Sequence, residues 1–373
     1  MPTAISLFAG CGGDTLGLLN AGYDVLGFIE NWKPAVESHR LNFPNEQRIG
    51  ESVGGDIRAV PDDQIAAFEG RVDLLFGGFP CQGFSHAGKK DPNDPRNRLF
   101  WRFVHAASLI RPRWIVGENV SGLLHRSTDD GVSPVSEVIV EAFESAGFRM
   151  TPPFVLNAAD FGVPQQRRRV FFVGSRDNRT FSAPRPMMGP RGGTRKKHWI
   201  GIRSSLDFTL EGAVSFDPSR VAGTIPSYLE HPGRDVPTGS PHPYLLAKLE
   251  AGLLSASKRD SPFHVEVANL DAPAKTIHSG YSFQPRLFVP LRNAAGTFLR
   301  PFTTLELARL QGFPRGYQLA GRSNDIIVQI GNAVPPPLAE AVARRILACD
   351  PELSSGYVER SSLRAWAESA PTP

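Results

Sequence analysis

The sequence predicts an α/β domain with a mostly parallel sheet, joined to a smaller irregular domain. Three observations carry that reading. Short apolar runs alternate with helix-like stretches from Ala4 to about Val173, the pattern of a sheet with crossover helices. Several of those runs end in a glycine turn or an acid, where α/β sheets hold their ligands. Beyond about residue 176 the alternation stops, and residues 181–245 are rich in Pro, Gly, Ser and Arg.

The first strand is Ala4-Ile5-Ser6-Leu7-Phe8, closed by the turn Ala9-Gly10-Cys11-Gly12-Gly13, with a helix over Asp14 to Asn20. Tyr23 to Ile29 is a second strand ending at Glu30, and Trp32 to Asn42 a second helix. Val72 to Phe76 and Trp114 to Gly117 are the next strands, with Leu99 to Ile110 helical between them. Val138 to Ala146 reads as a helix stopped by Gly147, and Arg169 to Val173 as a later strand. Regularity returns at Thr304–Leu310 and in a strong helix from Pro335 to Cys349, where Pro suits the first turn. Between them, Gln329-Ile-Gly-Asn-Ala-Val-Pro335 reads as a turn into that last helix. A short turn is expected around Leu363 to Trp366.

At 373 residues, 41% hydrophobic and 21% charged, the chain has the composition of an ordinary globular protein, which excludes coiled coils and disordered chains. Its three cysteines, Cys11, Cys81 and Cys349, form no CxxC pair, so no disulfide framework or structural metal site is expected. No apolar run approaches a membrane span, and the start lacks a signal-peptide layout, so the expected compartment is the reducing cytoplasm. The net charge is only +4, but Arg167 to Arg203 holds eleven basic residues against the single acid Asp177. Such a surplus suits a polyanion or a merely solvated basic face.

The chemistry-bearing residues sit in the turns. The glycine turn lets backbone approach a ligand, and Glu30 ending the next strand can accept from ribose hydroxyls. The spacing is GxGG, not GxGxxG, which points away from a dinucleotide towards a smaller nucleoside ligand. Asp56 and Ile57 suit an adenine amino group and ring. Gly77-Gly78-Phe79-Pro80-Cys81-Gln82-Gly83-Phe84-Ser85 follows the third strand and puts a thiol, the best neutral-pH side-chain nucleophile, at a strand's carboxyl end. Glu118, in Glu118-Asn119-Val120, occupies the equivalent place on the next strand and can exchange a proton with a substrate. Arg167 and Arg169 lie two apart and so on one side of their strand, a pair suited to phosphate or a carbonyl oxygen.

Together these segments resemble the cytosine-5 DNA methyltransferases of the bacterial restriction-modification type. In order they are similar to the family's glycine motif (Phe8 to Gly13), ribose acid (Glu30), adenine pair (Asp56, Ile57), PCQ loop (Pro80 to Gln82) and ENV motif (Glu118 to Val120). Its QxRxR motif (Gln165, Arg167, Arg169), its RxxTxxExARLQGFP block (Arg300 to Pro314) and its QIGNAVPP block (Gln329 to Pro336) follow. The resemblance covers the chain except about residues 181–270, the family's variable target-recognition region.

The resemblance implies a Rossmann-like S-adenosylmethionine-dependent domain, with the cofactor held by Phe8, Gly10, Gly12, Gly13, Glu30, Asp56, Ile57, Pro80 and Asn332. It implies that Cys81 adds to carbon 6 of a cytosine flipped out of double-stranded DNA, with Glu118 at ring nitrogen 3 and Arg167 at the base oxygen. The stretch from Gln82 to Arg98 is similar to the family's mobile loop, so Gln82, Ser85 and Arg96, with Arg169, are expected to touch DNA. The implied division is a catalytic and cofactor-binding domain over 1–178, a target-recognition domain and hinge over 179–322, a returning segment over 323–350, and a tail over 351–373. A monomer is expected, and a cognate restriction endonuclease acting on the same site is compatible with this type.

The sequence departs from the pattern in places. Ser6 stands where many members have Asp, and the Trp often found directly after the ribose acid is displaced to Trp32. A family branch that modifies transfer RNA carries a Cys-Phe-Thr signature, and no cysteine lies here between Cys81 and Cys349. A non-catalytic descendant is expected to have lost Cys81, Glu118 or the glycines, and all are present.

Overall fold

The computed structural model describes residues 1–80, 97–127, 134–194, 197–256 and 264–355, without the side chains of 97, 98 and 355. The expected turn at Leu363 to Trp366 lies outside these residues.

The larger sheet has eight strands: β1 (Thr3–Leu7), β2 (Asp24–Ile29), β3 (Gln47–Arg48), β4 (Leu74–Gly78), β5 (Trp114–Val120), β6 (Arg149–Met150), β7 (Phe154–Asn157) and β9 (Arg168–Ser175), with the short β8 (Gln165–Gln166) outside it. Their order is β3-β2-β1-β4-β5-β9-β6, with β7 also on β9. β1 to β5 run parallel, whereas β9 is antiparallel to β5, β6 and β7. The sheet is therefore mixed. The chain leaves β1 to one side for β2 and β3, then crosses to β4 on its other side. That reversal opens a crevice beyond the carboxyl ends of β1 and β4.

The parallel strands are buried on both faces, as their continuous apolar sequences require. Ile5, Leu7, Leu75 and Ile115 pack beneath α3 (Asp62–Ala66), α4 (Asn97–Ile110) and α5 (Val135–Ser145) through Ile65, Phe100, Phe103, Ile139 and Phe143. Ala4, Leu74, Phe76 and Val116 face α1 (Gly13–Ala21) and, from the far end of the chain, α9 (Pro336–Cys349). A Cβ at Gly17 of α1 would come within 2.6 Å of both the Ala339 Cβ and the Pro336 carbonyl, so glycine sets how closely these helices approach.

The smaller sheet is ordered β10 (Val214–Ser215), β16 (Gly296–Arg300), β15 (Leu287–Asn293), β13 (Val265–Val267) and β12 (Leu254–Ser255), with β11 (Leu229–Glu230) also on β15. Its own core gathers Leu245, Leu254, Val265, Val267, Phe288 and Leu299. β14 (Ala274–Lys275) pairs with β8, the short strand just before β9, in a separate two-stranded sheet. Thr303 and Glu306 form a reciprocal cap at the start of α7 (Thr304–Leu310), and the buried Glu306 carboxylate pairs with Arg300 at 2.7 Å. The same helix packs its Leu307 and Leu310 into a cluster with Cys11, Leu16 and Phe43.

Several short elements have no clear signal in the sequence: β3, β6 and β7 are two to four residues long. The segment from Gln329 corrects the expectation of a turn. Gln329 to Asn332 is the last turn of α8 (Ser323–Asn332), and only Ala333 to Pro335 link it to α9. Among the described residues, no helix is long and apolar enough to cross a membrane.

Candidate active site

A cavity of about 510 Å³ opens at the carboxyl ends of β1, β2, β4 and β5, where the chain reversal leaves the crevice. Phe8, Gly10, Glu30, Asp56, Ile57, Pro80, Glu118, Arg167, Arg169 and Asn332 all line it, so residues more than 300 positions apart meet there.

The turn after β1 is shaped for close approach. Phe8 takes φ 57°, a left-handed conformation that costs a non-glycine residue about 1–3 kcal/mol. At Gly10, φ is 55° and an added Cβ would meet nothing within 4 Å, so its open side faces the cavity. Gly12 and Gly13, the other glycines expected to bind the cofactor, have crowded surroundings instead. They do not line the cavity. A Cβ on Gly12 would strike Phe43 at 2.5 Å, and one on Gly13 would come within 2.3 Å of the Val334 carbonyl. They are packing glycines that seat α1 against its neighbours.

Glu30 fastens that turn. One carboxyl oxygen accepts from the Gly10 N–H at 2.9 Å, and the other from those of Asn31 and Trp32 at 2.9 and 2.7 Å. Burial raises its pKa and these three donors oppose the rise. A carboxylate offers about four acceptor positions, so capacity remains for a ligand hydroxyl. Arg48 braces the next wall: its Nη2 donates to the carbonyls of Glu30 and Gly54 at 3.1 and 2.6 Å. Nothing in its sequence context marks that role. Asp56 pairs with Arg58, which holds its carboxyl below the usual range.

β4 delivers Pro80 to the cavity, and the Asn119 amide donates to the Phe79 carbonyl at 3.0 Å, fixing the strand's end. Cys81, Gln82, Ser85 and Arg96 lie outside the described residues. Beside Pro80, Glu118 is 6% exposed, with its Oε1 2.9 Å from Arg169 Nε. Burial raises the Glu118 pKa, while Arg169 and Arg167 pull against it.

Arg167, which also lines the cavity, has a further set of partners. Its guanidinium is buried and donates to the carbonyls of Ile277, Gly331 and Ala333 at 3.0, 2.7 and 3.2 Å. It braces the approach to α9, whereas Arg169 is the arginine paired with Glu118. Gln165 belongs to the same brace, donating to Leu310 and Gln311, and Gln311 in turn donates to the Ala333 carbonyl. Replacing Arg167 with Met strands the buried carbonyls of Ile277 and Gly331, each worth about 1–3 kcal/mol, while that of Ala333 keeps its bond from Gln311. Arg167→Met is thus expected to lower unfolding stability by about 2 kcal/mol or more in urea titrations. Arg169→Met should shift the midpoint far less, and equal shifts would contradict the division of labour.

The basic run is less available to a polyanion than its count suggests. Besides Arg167 and Arg169, Arg176 lies 4.4 Å over the Phe148 ring, Arg179 pairs with Asp350 and Glu352, and Arg203 pairs with Asp271. Arg168, Arg185, Arg191 and Lys197 are exposed. Asp14, which the sequence did not single out, also reaches the cavity. Among the described residues, no cluster of three or more His, Cys, Asp or Glu side chains could hold a metal ion.

Comparison with known proteins places this geometry in context. A family model for C-5 cytosine-specific DNA methylases matches residues 3–213 and 255–348. The Desulfomicrobium norvegicum type II methyltransferase M.DdeI is 32% identical over 92% of this chain and 88% of its own length. The Haemophilus parahaemolyticus type II methyltransferase M1.HphI is 32% identical over 92% of this chain and 86% of its own. Among solved structures, the S. pombe Dnmt2 methyltransferase superposes with a TM-score of 0.65 at 18% identity, covering 93% of this chain and 99% of that one, a likeness of fold.

Proposed function

This chain belongs to the C-5 cytosine-specific DNA methylase family, and from that membership we propose that it methylates a flipped-out cytosine in a short DNA sequence with S-adenosylmethionine as donor and Cys81 as nucleophile. The observation that carries the assignment of roles is the buried Glu118–Arg169 pair facing the same cavity as Pro80, the residue before Cys81.

The residues lining the cavity fit a nucleoside donor. Gly10 leaves its open side free, Glu30 keeps acceptor capacity for ribose hydroxyls, and Asp56 with Ile57 offers a polar and an apolar contact for adenine. Asn332 also lines the cavity. When bound, S-adenosylmethionine supplies an electrophilic methyl group. Cys81, as thiolate, adds to carbon 6 of the cytosine and makes carbon 5 nucleophilic. Glu118, whose pKa burial raises against the pull of Arg169 and Arg167, supports the addition by donating at ring nitrogen 3. Arg169, ion-paired to Glu118, is the guanidinium we assign to the base oxygen. Loss of the carbon 5 proton then expels the thiol.

Residues 1–178 form the catalytic domain in this reading, 179–322 the target-recognition domain and hinge, and 323–350 the segment returning through α9. Gln82, Ser85 and Arg96 contact DNA from the loop after Cys81. The protein works as a cytoplasmic monomer, beside a restriction endonuclease of the same specificity where one is encoded.

Bisulfite sequencing of DNA from methylation-free cells expressing the protein tests this reading. Protected cytosines in one recurring short context, absent with Cys81→Ala, are the expected result. No protected cytosine from soluble protein that binds S-adenosylmethionine would overturn the substrate assignment.

A further inference from the structure

Four carboxyl groups line the cavity: Asp14, Glu30, Asp56 and Glu118. Three have partners that favour their charge. Glu118 has Arg169, Asp56 has Arg58, and Glu30 has three backbone N–H donors. Asp14 differs. It stands in the first turn of α1, only 3% exposed, with no ion-pair partner among the described residues. Its Oδ2 accepts from the Ser6 hydroxyl at 2.6 Å, and its Oδ1 from the Thr15 N–H at 2.9 Å. Both donors are neutral.

The titratable groups around it make matters worse. Glu118 of β5 raises the Asp14 pKa, and Asp14 in turn raises those of Cys11 in the glycine turn, Glu46 before β3 and Tyr317 after α7. Burial is the main cause, and with Glu118 it outweighs the hydrogen bonds from Ser6 and Thr15 and pushes the Asp14 carboxyl up to about 7. The positive end of α1 offsets part of this, being equivalent to roughly half a charge. A buried acid in that position, open to a cavity, either keeps its proton or pairs with a cation from outside. Ser6 allows the second: an Asp at position 6 would set two carboxyls at hydrogen-bond distance, where they cannot both ionise.

We propose that Asp14 is the counter-charge for the positive end of the methyl donor, its sulfonium or its α-ammonium, and so helps this chain select that cofactor. The inference rests on the S-adenosylmethionine reading above and deepens it. Glycine backbone and Glu30 recognise a nucleoside of any charge. A buried carboxylate adds discrimination for a cationic one, because an ion bonded to a charged, desolvated partner gains more than a neutral group does.

The test is titration calorimetry on the full chain with S-adenosylmethionine, S-adenosylhomocysteine and 5′-methylthioadenosine, which lacks both positive charges. Asp14→Asn keeps the shape and removes the charge. It is expected to weaken S-adenosylmethionine about 10- to 100-fold and leave 5′-methylthioadenosine unchanged. Equal weakening of S-adenosylhomocysteine assigns the contact to the ammonium, and weakening confined to S-adenosylmethionine assigns it to the sulfonium. Ser6→Ala keeps the charge and removes only its hydrogen bond, so it should cost a few-fold at most.

Unchanged S-adenosylmethionine affinity in Asp14→Asn overturns the inference. So does an equal loss for 5′-methylthioadenosine, or a Ser6→Ala loss as large as that of Asp14→Asn, since either marks a packing role. Unliganded thermal unfolding of each variant checks that the fold is intact; if Asp14→Asn is unfolded, Ser6→Ala carries the test, and a large loss there overturns the inference. Wild-type protein that binds none of the three compounds would sink the cofactor reading itself, and this inference with it.

Discussion

Cys81→Ala is expected to lower methylation by a factor of about 10⁴ or more while DNA binding persists. An ordinary thiol has a pKa of about 8.5, so roughly a few per cent is thiolate at neutral pH, already a competent nucleophile. Alanine has nothing to add to carbon 6, and of the other two cysteines Cys11 is buried in the glycine turn and Cys349 ends α9. The substitution removes one sulfur beside Pro80 and should spare the groups that hold DNA. Filter binding or fluorescence anisotropy with a short duplex should therefore give near wild-type affinity. Turnover retained in Cys81→Ala would remove Cys81 from the mechanism, and loss of DNA binding would mean that its role is structural.

The larger sheet and most of its ligand-facing turns were legible in the sequence because each signal there is local. β1 to its glycine turn, β2 to Glu30 and β5 to Glu118 are strand runs ending in residues with an obvious chemical use, and each acid lines the cavity. Which arginine does what was not legible. Arg167 and Arg169 share a side of the chain, but one is surrounded by the carbonyls of Ile277, Gly331 and Ala333. Those carbonyls arrive from over 100 residues away, and no spacing rule sees them. The glycines were not separable for a similar reason: Gly10 and Gly12 look equivalent in GxGG, yet only the contacts of Phe43 and Tyr317 show that the Cα side of Gly12 faces inward. Asp14 escaped because an acid in a first helical turn is ordinary, and its distinction is the absence of a cation around it among the described residues.

Glu118→Gln separates holding a proton from merely filling space. The glutamine amide keeps the size and can donate a hydrogen bond to a ring nitrogen, but it cannot transfer a proton or carry charge opposite Arg169. A positioned acid contributes about 10² to 10⁴ in rate, and a loss of that order in kcat is expected. S-adenosylmethionine affinity should change little, because Gly10, Glu30 and Asp56 do not bond to Glu118. A fall in cofactor affinity as large as the fall in rate would place Glu118 in the donor site instead. The pH dependence supplies the sign. Burial, opposed by Arg169 and Arg167, raises the Glu118 pKa, so the protonated form persists above the usual carboxyl range. Its contribution is full below the raised value and is lost as pH climbs through it. The ratio of wild-type to Glu118→Gln rates should therefore shrink with rising pH, while the Cys81 ionisation, common to both, cancels. A ratio that grows with pH would mean that the carboxylate, acting as a base, is the working form.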